Sequence, residues 1–250
     1  MSGHSKWSTI KHKKAATDAR RSKAWSKLAR AVTMAARNGG IPADNPSLRL
    51  AMDKAKAANM PKDTIDKAIK KGTGELEGES YEEVLYEGYG PGGVAIMCQA
   101  VTDNRNRTGP ETKRLFERYG GNLGTPNSVA WMFSSKGVFA IAADSVDEDR
   151  VMEVALEHGA EDVDTSASVY EVTCPPEAFD ALKAAFAGAE IPVQSADVTM
   201  VAASYITLDA ETARKLIRLL DALDEHDDIT NVSSNCDIPD EVLAEIGSGG

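Results

Sequence analysis

The chain changes character within eight residues. At Gly72-Thr73-Gly74-Glu75-Leu76-Glu77-Gly78-Glu79 the sign of its charge and the period of its apolar residues both switch. Up to Gly72 there are 17 Lys+Arg against 5 Asp+Glu, a balance of +12; from Thr73 onward there are 11 against 34, a balance of −23. The formal total of −11 therefore conceals a basic segment on an acidic chain. One end of such a chain is suited to meet a polyanion while the remainder repels it. A single evenly charged domain is the architecture this pattern argues against most strongly.

Before the boundary the period is helical. Residues 1–20 read as a basic arm, with Lys6, Lys11, Lys13, Lys14 and Arg20 around Trp7 and Ile10. From Ser22, Trp25, Leu28, Val32 and Ala35 recur at steps of three and four until Asn38-Gly39-Gly40. Asn45-Pro46 opens a second helix, with Asn45 as N-cap and Leu48, Met52 and Ala55 as its stripe. Met60-Pro61 opens a third, carrying Ile65, Ala68 and Ile69 and ending at Gly72.

Beyond the boundary, strands enter. Residues 81–89 and 94–102 read as strands around the turn Gly90-Pro91-Gly92-Gly93, followed by a helix at about 110–119 and a strand over 129–133. Residues 137–200 then give β-α-β-β-α-β, the ferredoxin-like split βαβ. After them, 205–208, 210–223 and 229–233 give β-α-β. The expected class is α+β: an N-terminal three-helix domain (1–75), an α/β domain of ferredoxin-like type formed by 80–135 plus 204–240, and a second one, 136–203, inserted in it.

The basic arm carries the sharpest functional signal. Lys11-His12-Lys13-Lys14 and Arg20-Arg21-Ser22-Lys23 cluster cations near Trp7 and His12, whose rings can stack on bases or sugars. A soluble charged face would not need +12 over 72 residues, because that excess repels itself. The segment is too poor in large apolar residues to lie on a membrane surface. Arg105 and Arg107, in Asp103-Asn104-Arg105-Asn106-Arg107-Thr108, fall near a helix start that Thr108 would cap. They are placed equally well to meet an anion there or to pair with neighbouring carboxylates. Tyr81, Tyr86 and Tyr89 are the nearest thing to an aromatic platform, and core or hairpin packing accounts for them as well.

Other chemistries find no footing. Cys98, Cys174 and Cys236 are odd in number and far apart, which fits reduced thiols in a cytosol-like compartment rather than disulfides or a metal site. His4, His12, His158 and His226 have no metal-ligand spacing, and no nucleophile elbow or dinucleotide fingerprint occurs. Gly90-Pro91-Gly92-Gly93 joins two strands, as a hairpin turn does and a phosphate loop does not. No apolar run of 18 residues predicts a membrane span. The expectation is a cytoplasmic, monomeric, non-enzymatic protein without cofactor, metal or small-molecule substrate.

A run of motifs extends this reading. Gly3-His4-Ser5-Lys6-Trp7, Ile10 through Lys14, Asn59-Met60-Pro61, Tyr86 through Gly93, Thr102 through Thr108, Gly120 through Gly124 and Ser128 through Phe133 resemble the YebC/PmpR family over essentially the whole chain. That family includes the mitochondrial translational activator of cytochrome c oxidase. Trp25 stands where the family usually has Phe, and Gly109-Pro110 replaces a more helix-friendly pair. The resemblance implies three domains with a cleft, and either a DNA-binding transcriptional regulator or a ribosome-associated translation factor that relieves stalls at proline-rich stretches. Lys6, Trp7, Lys11, His12, Lys13, Lys14, Arg20, Arg21, Lys23, Lys27, Arg30, Arg105 and Arg107 are the expected contacts to DNA or ribosomal RNA. A protein-interaction adaptor docking through the acidic domains is the rival from another class.

Overall fold

The computed structural model describes residues 18–78, 80–165, 169–238 and 242, with the backbone alone for 18–21. The first three helices are α1 (Asp18–Ala36), α2 (Pro46–Ala57) and α3 (Lys62–Gly72). Their apolar stripes meet in a small core of Val32, Ala36, Leu48, Ala55, Ile65 and Ala68. Two polar side chains fix its geometry. Asn45 caps α2 by accepting the Leu48 N–H at 3.0 Å, while its amide donates to the Ala35 and Gly39 carbonyls at 2.8 Å each. One residue thus starts α2 and satisfies carbonyls left open at the end of α1. Trp25 donates its indole N–H to the Ala58 carbonyl at 2.9 Å, tying the first half of α1 to the end of α2.

The first sheet runs in the order β3-β1-β2-β9, from β1 (Glu82–Tyr89), β2 (Ala95–Thr102), β3 (Asn122–Leu123) and β9 (Ile229–Ser234). The strand late in the chain therefore pairs with the hairpin formed early, with Ile96 opposite Ser234 and Cys98 opposite Val232. Helices α4 (Arg105–Arg118) and α7 (Ala210–Asp224) cover one face. Alternation along β2 sends Ile96, Cys98 and Ala100 toward those helices, where Phe116, Leu216, Leu219, Leu220 and Leu223 are fully buried. Each such leucine contributes roughly 1.5–3 kcal/mol on burial. Ala95 and Met97 point the other way, into a joint with Val129, Phe133 and Ala202. A short parallel pair, β8 (Ile206–Thr207) with β10 (Cys236–Asp237), closes one end.

The second sheet has the order β5-β6-β4-β7, all antiparallel, from β4 (Phe133–Ala142), β5 (Asp162–Asp164), β6 (Val169–Cys174) and β7 (Val193–Ala202). With α5 (Glu148–Glu157) and α6 (Phe179–Gly188) it forms the split βαβ layout expected of this segment. Phe139 stacks on Phe179 at 4.9 Å between ring centres and meets Phe186 edge-on at 5.3 Å.

Two local expectations need correction. The helix expected at 110–119 starts at Arg105, with Pro110 inside it. Asn104, not Thr108, is the cap, accepting the Arg107 N–H at 3.2 Å. The strand expected over 129–133 is instead a 3-10 turn at Ala130–Met132 followed by β4. The reason is Glu87, whose buried carboxylate takes the N–H groups of Asn127, Val129 and Ala130 that a strand would offer to a neighbour.

The three-helix unit is fastened to the rest by charge. Arg49 pairs with Asp180 at 2.5 Å, Lys54 with Asp197 at 2.5 Å, and Asp53 with Lys183 at 3.0 Å. Leu50 adds an apolar contact to the core of the second sheet. Part of the charge asymmetry is therefore used inside the chain, basic helices against an acidic body.

Candidate nucleic-acid interface

The mount of helix α1 is built around Asp228, in the loop between α7 and β9. Its carboxylate is buried and accepts from four side chains. Arg30 Nη1 stands at 2.7 Å, Arg107 Nη2 at 2.7 Å, Thr108 Oγ1 at 2.6 Å and Thr102 Oγ1 at 3.2 Å. Burial alone would push this carboxyl up. The Thr108 and Arg107 hydrogen bonds and the charges of Arg107 and Arg30 outweigh it and hold the group below the usual carboxylate range. The same contacts hold the Arg107 guanidinium firmly charged.

The rest of the loop repeats the pattern. Lys23 pairs with Asp227 at 3.1 Å and donates to the Glu225 carbonyl at 3.3 Å. Lys27 donates to the Asp224 carbonyl, and Arg30 also reaches the Asp227 carbonyl at 2.8 Å. These carbonyls lie at or just beyond the C-terminus of α7, where a helix favours cations. His226 Nδ1 accepts the Asp228 N–H at 3.1 Å, so its proton sits on Nε2 and is donated to Glu111 at 3.1 Å. Tyr81 lies under the Arg30 guanidinium at 5.7 Å.

The expected contact residues thus fall into distinct groups. Lys6, Trp7, Lys11, His12, Lys13 and Lys14 lie outside the described residues. Arg20 and Arg21 are in the first turn of α1, with their side chains also outside the description. Lys23, Lys27, Arg30 and Arg107 converge on the acidic loop 224–228, and all but Lys27 line a polar depression there with Glu111 and His226. Arg105 stands apart, 3.7 Å from Glu82. For Arg107, of the two placements open to it in the sequence, the carboxylate pairing is the one adopted, with Asp103 at 2.9 Å as well as Asp228. Further cations of the helical unit, Arg37, Lys62, Lys67, Lys70 and Lys71, are exposed and without an ion-pair partner among the described residues.

Asp228 and its neighbours were not legible as a site. Glu225-His226-Asp227-Asp228 follows an amphipathic helix and has the composition of an ordinary solvated helix end. Among the described residues no three His, Cys, Asp or Glu side chains are grouped to hold a metal ion. No described helix is long and apolar enough to cross a membrane.

Residues 5–75 match the family model for the TACO1/YebC protein N-terminal domain, and residues 81–236 match that for the TACO1/YebC second and third domain. The chain belongs to the TACO1/YebC family. A probable transcriptional regulatory protein of Desulforapulum autotrophicum is 54% identical over 97% of this chain and 98% of its own length. One from Rhodopirellula baltica is 50% identical over 98% and 100%. The crystal structure of a conserved hypothetical protein from Aquifex aeolicus superposes with a TM-score of 0.83 at 47% identity, covering 94% of this chain and 97% of that one. The boundary between the two family models, at residues 75–81, coincides with the point where charge and period switch in this TACO1/YebC chain.

Proposed function

We propose that this TACO1/YebC chain is a non-enzymatic regulator of gene expression that binds DNA through its basic N-terminal segment. The observation that carries the reading is the mount of α1. Lys23, Lys27 and Arg30 fasten the helix to the acidic body. Arg20 and Arg21 in its first turn, and Lys6, Lys11, Lys13 and Lys14 before it, stand N-terminal to that attachment. A cationic element fixed at one end to a rigid body meets a phosphate surface in a defined register, and phosphate contacts position without specifying sequence. The regulatory names of the relatives support the same class. Trp7, His12 and Arg105 complete the proposed contact set. Lys23, Lys27, Arg30 and Arg107 act chiefly by holding the segment in place.

The test is the salt dependence of binding to a DNA duplex, measured by fluorescence anisotropy. Each phosphate contact contributes about 0.9 to the slope of log K against log salt. Replacing Lys11, Lys13 and Lys14 by Ala is expected to weaken binding and to lower the slope by about 2 to 3. A slope near zero for the parent protein overturns the reading, as does full activity after deletion of residues 1–21, which favours an adaptor. Cosedimentation with ribosomes that survives DNase and is lost in the same triple variant shifts the target from DNA to ribosomal RNA.

A further inference from the structure

Among the described residues Trp131 is the most exposed large apolar side chain, at 76%. It is nevertheless held in place. Its indole N–H donates to the Ser128 carbonyl at 3.2 Å, and the Tyr89 hydroxyl donates to the same carbonyl at 3.0 Å. Both rings are therefore tethered by their edges to one atom, and both are exposed, the indole at 76% and the phenol at 37%.

The loop that carries Trp131 is built on a buried charge. Glu87, on β1, accepts the N–H groups of Asn127 at 2.7 Å, Val129 at 2.8 Å and Ala130 at 2.8 Å. Burial pushes its carboxyl up, and the three N–H bonds from Val129, Asn127 and Ala130 outweigh that and hold it below the usual range. Asn127 itself is left-handed, with a φ of 66°. Glu87 thereby shapes a loop that also buries Val129 in the joint between the two sheets. That packing does not require the indole of Trp131 to stand in water, and a large ring held at the surface beside a second one is a candidate binding surface.

The surroundings define what fits. Residues 119–133 contain no Asp, Glu, Lys, Arg or His, in a chain that is 27% charged. Asn122 lies opposite Tyr89 across β1 and β3, so the two side chains share a face. Asn122 and Asn127 are exposed, and their side-chain amides have no partner among the described residues. Fixed aromatic faces bordered by free amides suit an unpaired nucleobase, which stacks on a ring and offers donors and acceptors along its edge. A base inside a duplex has both faces covered. A protein anchor would be ringed by apolar area, whereas the loop neighbours here are Thr125, Pro126 and Asn127.

We propose that Trp131 and Tyr89 form a stacking site for an unpaired nucleobase, with Asn122 and Asn127 bonding its edge. The proposal rests on the nucleic-acid reading above and adds a second contact, remote in sequence from the basic arm and independent of phosphate.

The experiment compares a fluorescein-labelled single-stranded DNA of mixed sequence with the same sequence as a duplex, for the parent protein, Trp131→Ala and Trp131→Phe. Trp131→Ala is expected to weaken the single strand about tenfold, within the range for loss of one base–aromatic stack. Duplex affinity stays within about twofold and the salt slope is unchanged, because stacking releases no counterions. Trp131→Phe restores most of the loss. Equal affinity of parent and Trp131→Ala for the single strand overturns the proposal, and so does an equal loss on both ligands. If that happens while the Lys11, Lys13 and Lys14 triple variant still loses duplex binding, the arm reading stands and the stacking site alone fails. A parent protein that binds neither ligand removes both.

Discussion

Arg30 of α1 and Asp228 of the loop before β9 meet at 2.7 Å across 198 residues of sequence. The carboxylate is 2% exposed and the guanidinium 21%, so this is a largely desolvated pair. Neutralising the buried partner forfeits charge-assisted hydrogen bonds worth about 1.5–3 kcal/mol and turns an amide NH2 toward groups that are themselves donors. Asp228→Asn keeps the shape and removes the charge facing both Arg30 and Arg107. We expect it to destabilise the protein by about 3 kcal/mol, read as a lowered urea midpoint. A shift below about 1 kcal/mol, the size of a surface pair, sinks the idea that this residue holds α1 in place.

The same carboxyl sets an acid limit. Its pKa in the folded protein lies below its unfolded value, so its contribution is present in full above the unfolded pKa and is lost as pH falls through the folded one. Glu87 is depressed in the same direction by its three N–H bonds. Stability is therefore expected to fall below about pH 4, near the ordinary carboxylate range. In Asp228→Asn the fall is shallower, because one of the titrating groups is gone. Parallel curves of urea midpoint against pH for parent and variant contradict this assignment.

Glu87 makes a separate prediction. Glu87→Gln keeps one acceptor oxygen and turns the other toward the loop N–H groups as a donor. At least one of the three bonds is then lost and a donor faces a donor. Hydrogen exchange at Asn127, Val129 and Ala130 is expected to accelerate by about ten- to a hundredfold, as loss of roughly 1–3 kcal/mol of local stabilisation implies. Unchanged exchange at all three amides shows that the carboxylate does not hold the loop.

These residues also show where sequence was informative. The three helices, the split βαβ of 137–200 and the tail strand over 229–233 follow from periodicity and turn chemistry, which are local. The Asn45 cap was legible because Asn45-Pro46 is a local signal. Asp228 and Glu87 were not, because each draws its role from partners far along the chain: Arg30 and Arg107 for one, residues 127–130 for the other. The strand expected over 129–133 failed for that reason, its N–H groups being claimed by Glu87 from another strand. Charge partition located the basic segment but could not separate cations facing solvent from those, such as Lys27 and Arg30, that face the chain's own carboxylates and carbonyls. Tyr89 was visible as an aromatic on a strand; Trp131 beside it was not, since adjacency across a loop has no sequence period.

The cysteines are expected to be inert in the folded protein. All three are buried, and burial pushes the thiols of Cys174 and Cys236 up to about 11 and that of Cys98 further. The thiolate is the reactive form, so neither access nor ionisation favours reaction near neutral pH. Ellman's reagent should label none in the native protein over minutes and all three in denaturant. Rapid native labelling of any one contradicts the packing described for it.

Gly72, where the charge and period of the sequence change, is also where α3 closes against α1. A Cβ there would lie 2.3 Å from the Thr33 carbonyl oxygen and 2.6 Å from the Ala36 Cβ. Neither neighbour can move freely. Thr33 is a buried residue of α1 whose hydroxyl bonds the Ala68 carbonyl of α3 at 3.1 Å, and Ala36 is in the helical core. Gly72→Ala adds one methyl group and relieves no unfavourable backbone angle, so the helix-propensity gain of about 1 kcal/mol is offset by overpacking of about 1–3 kcal/mol. The helices must separate to admit it, which shifts α1 relative to its anchor on Asp228. A lowered thermal midpoint for Gly72→Ala is expected, together with weakened nucleic-acid binding that Gly74→Ala does not reproduce. Gly74 tests the backbone instead: its φ is +81° and a Cβ there meets nothing within 4 Å. If the Gly72 variant is as stable as the parent, the close approach of α1 and α3 is not what selects glycine at this position.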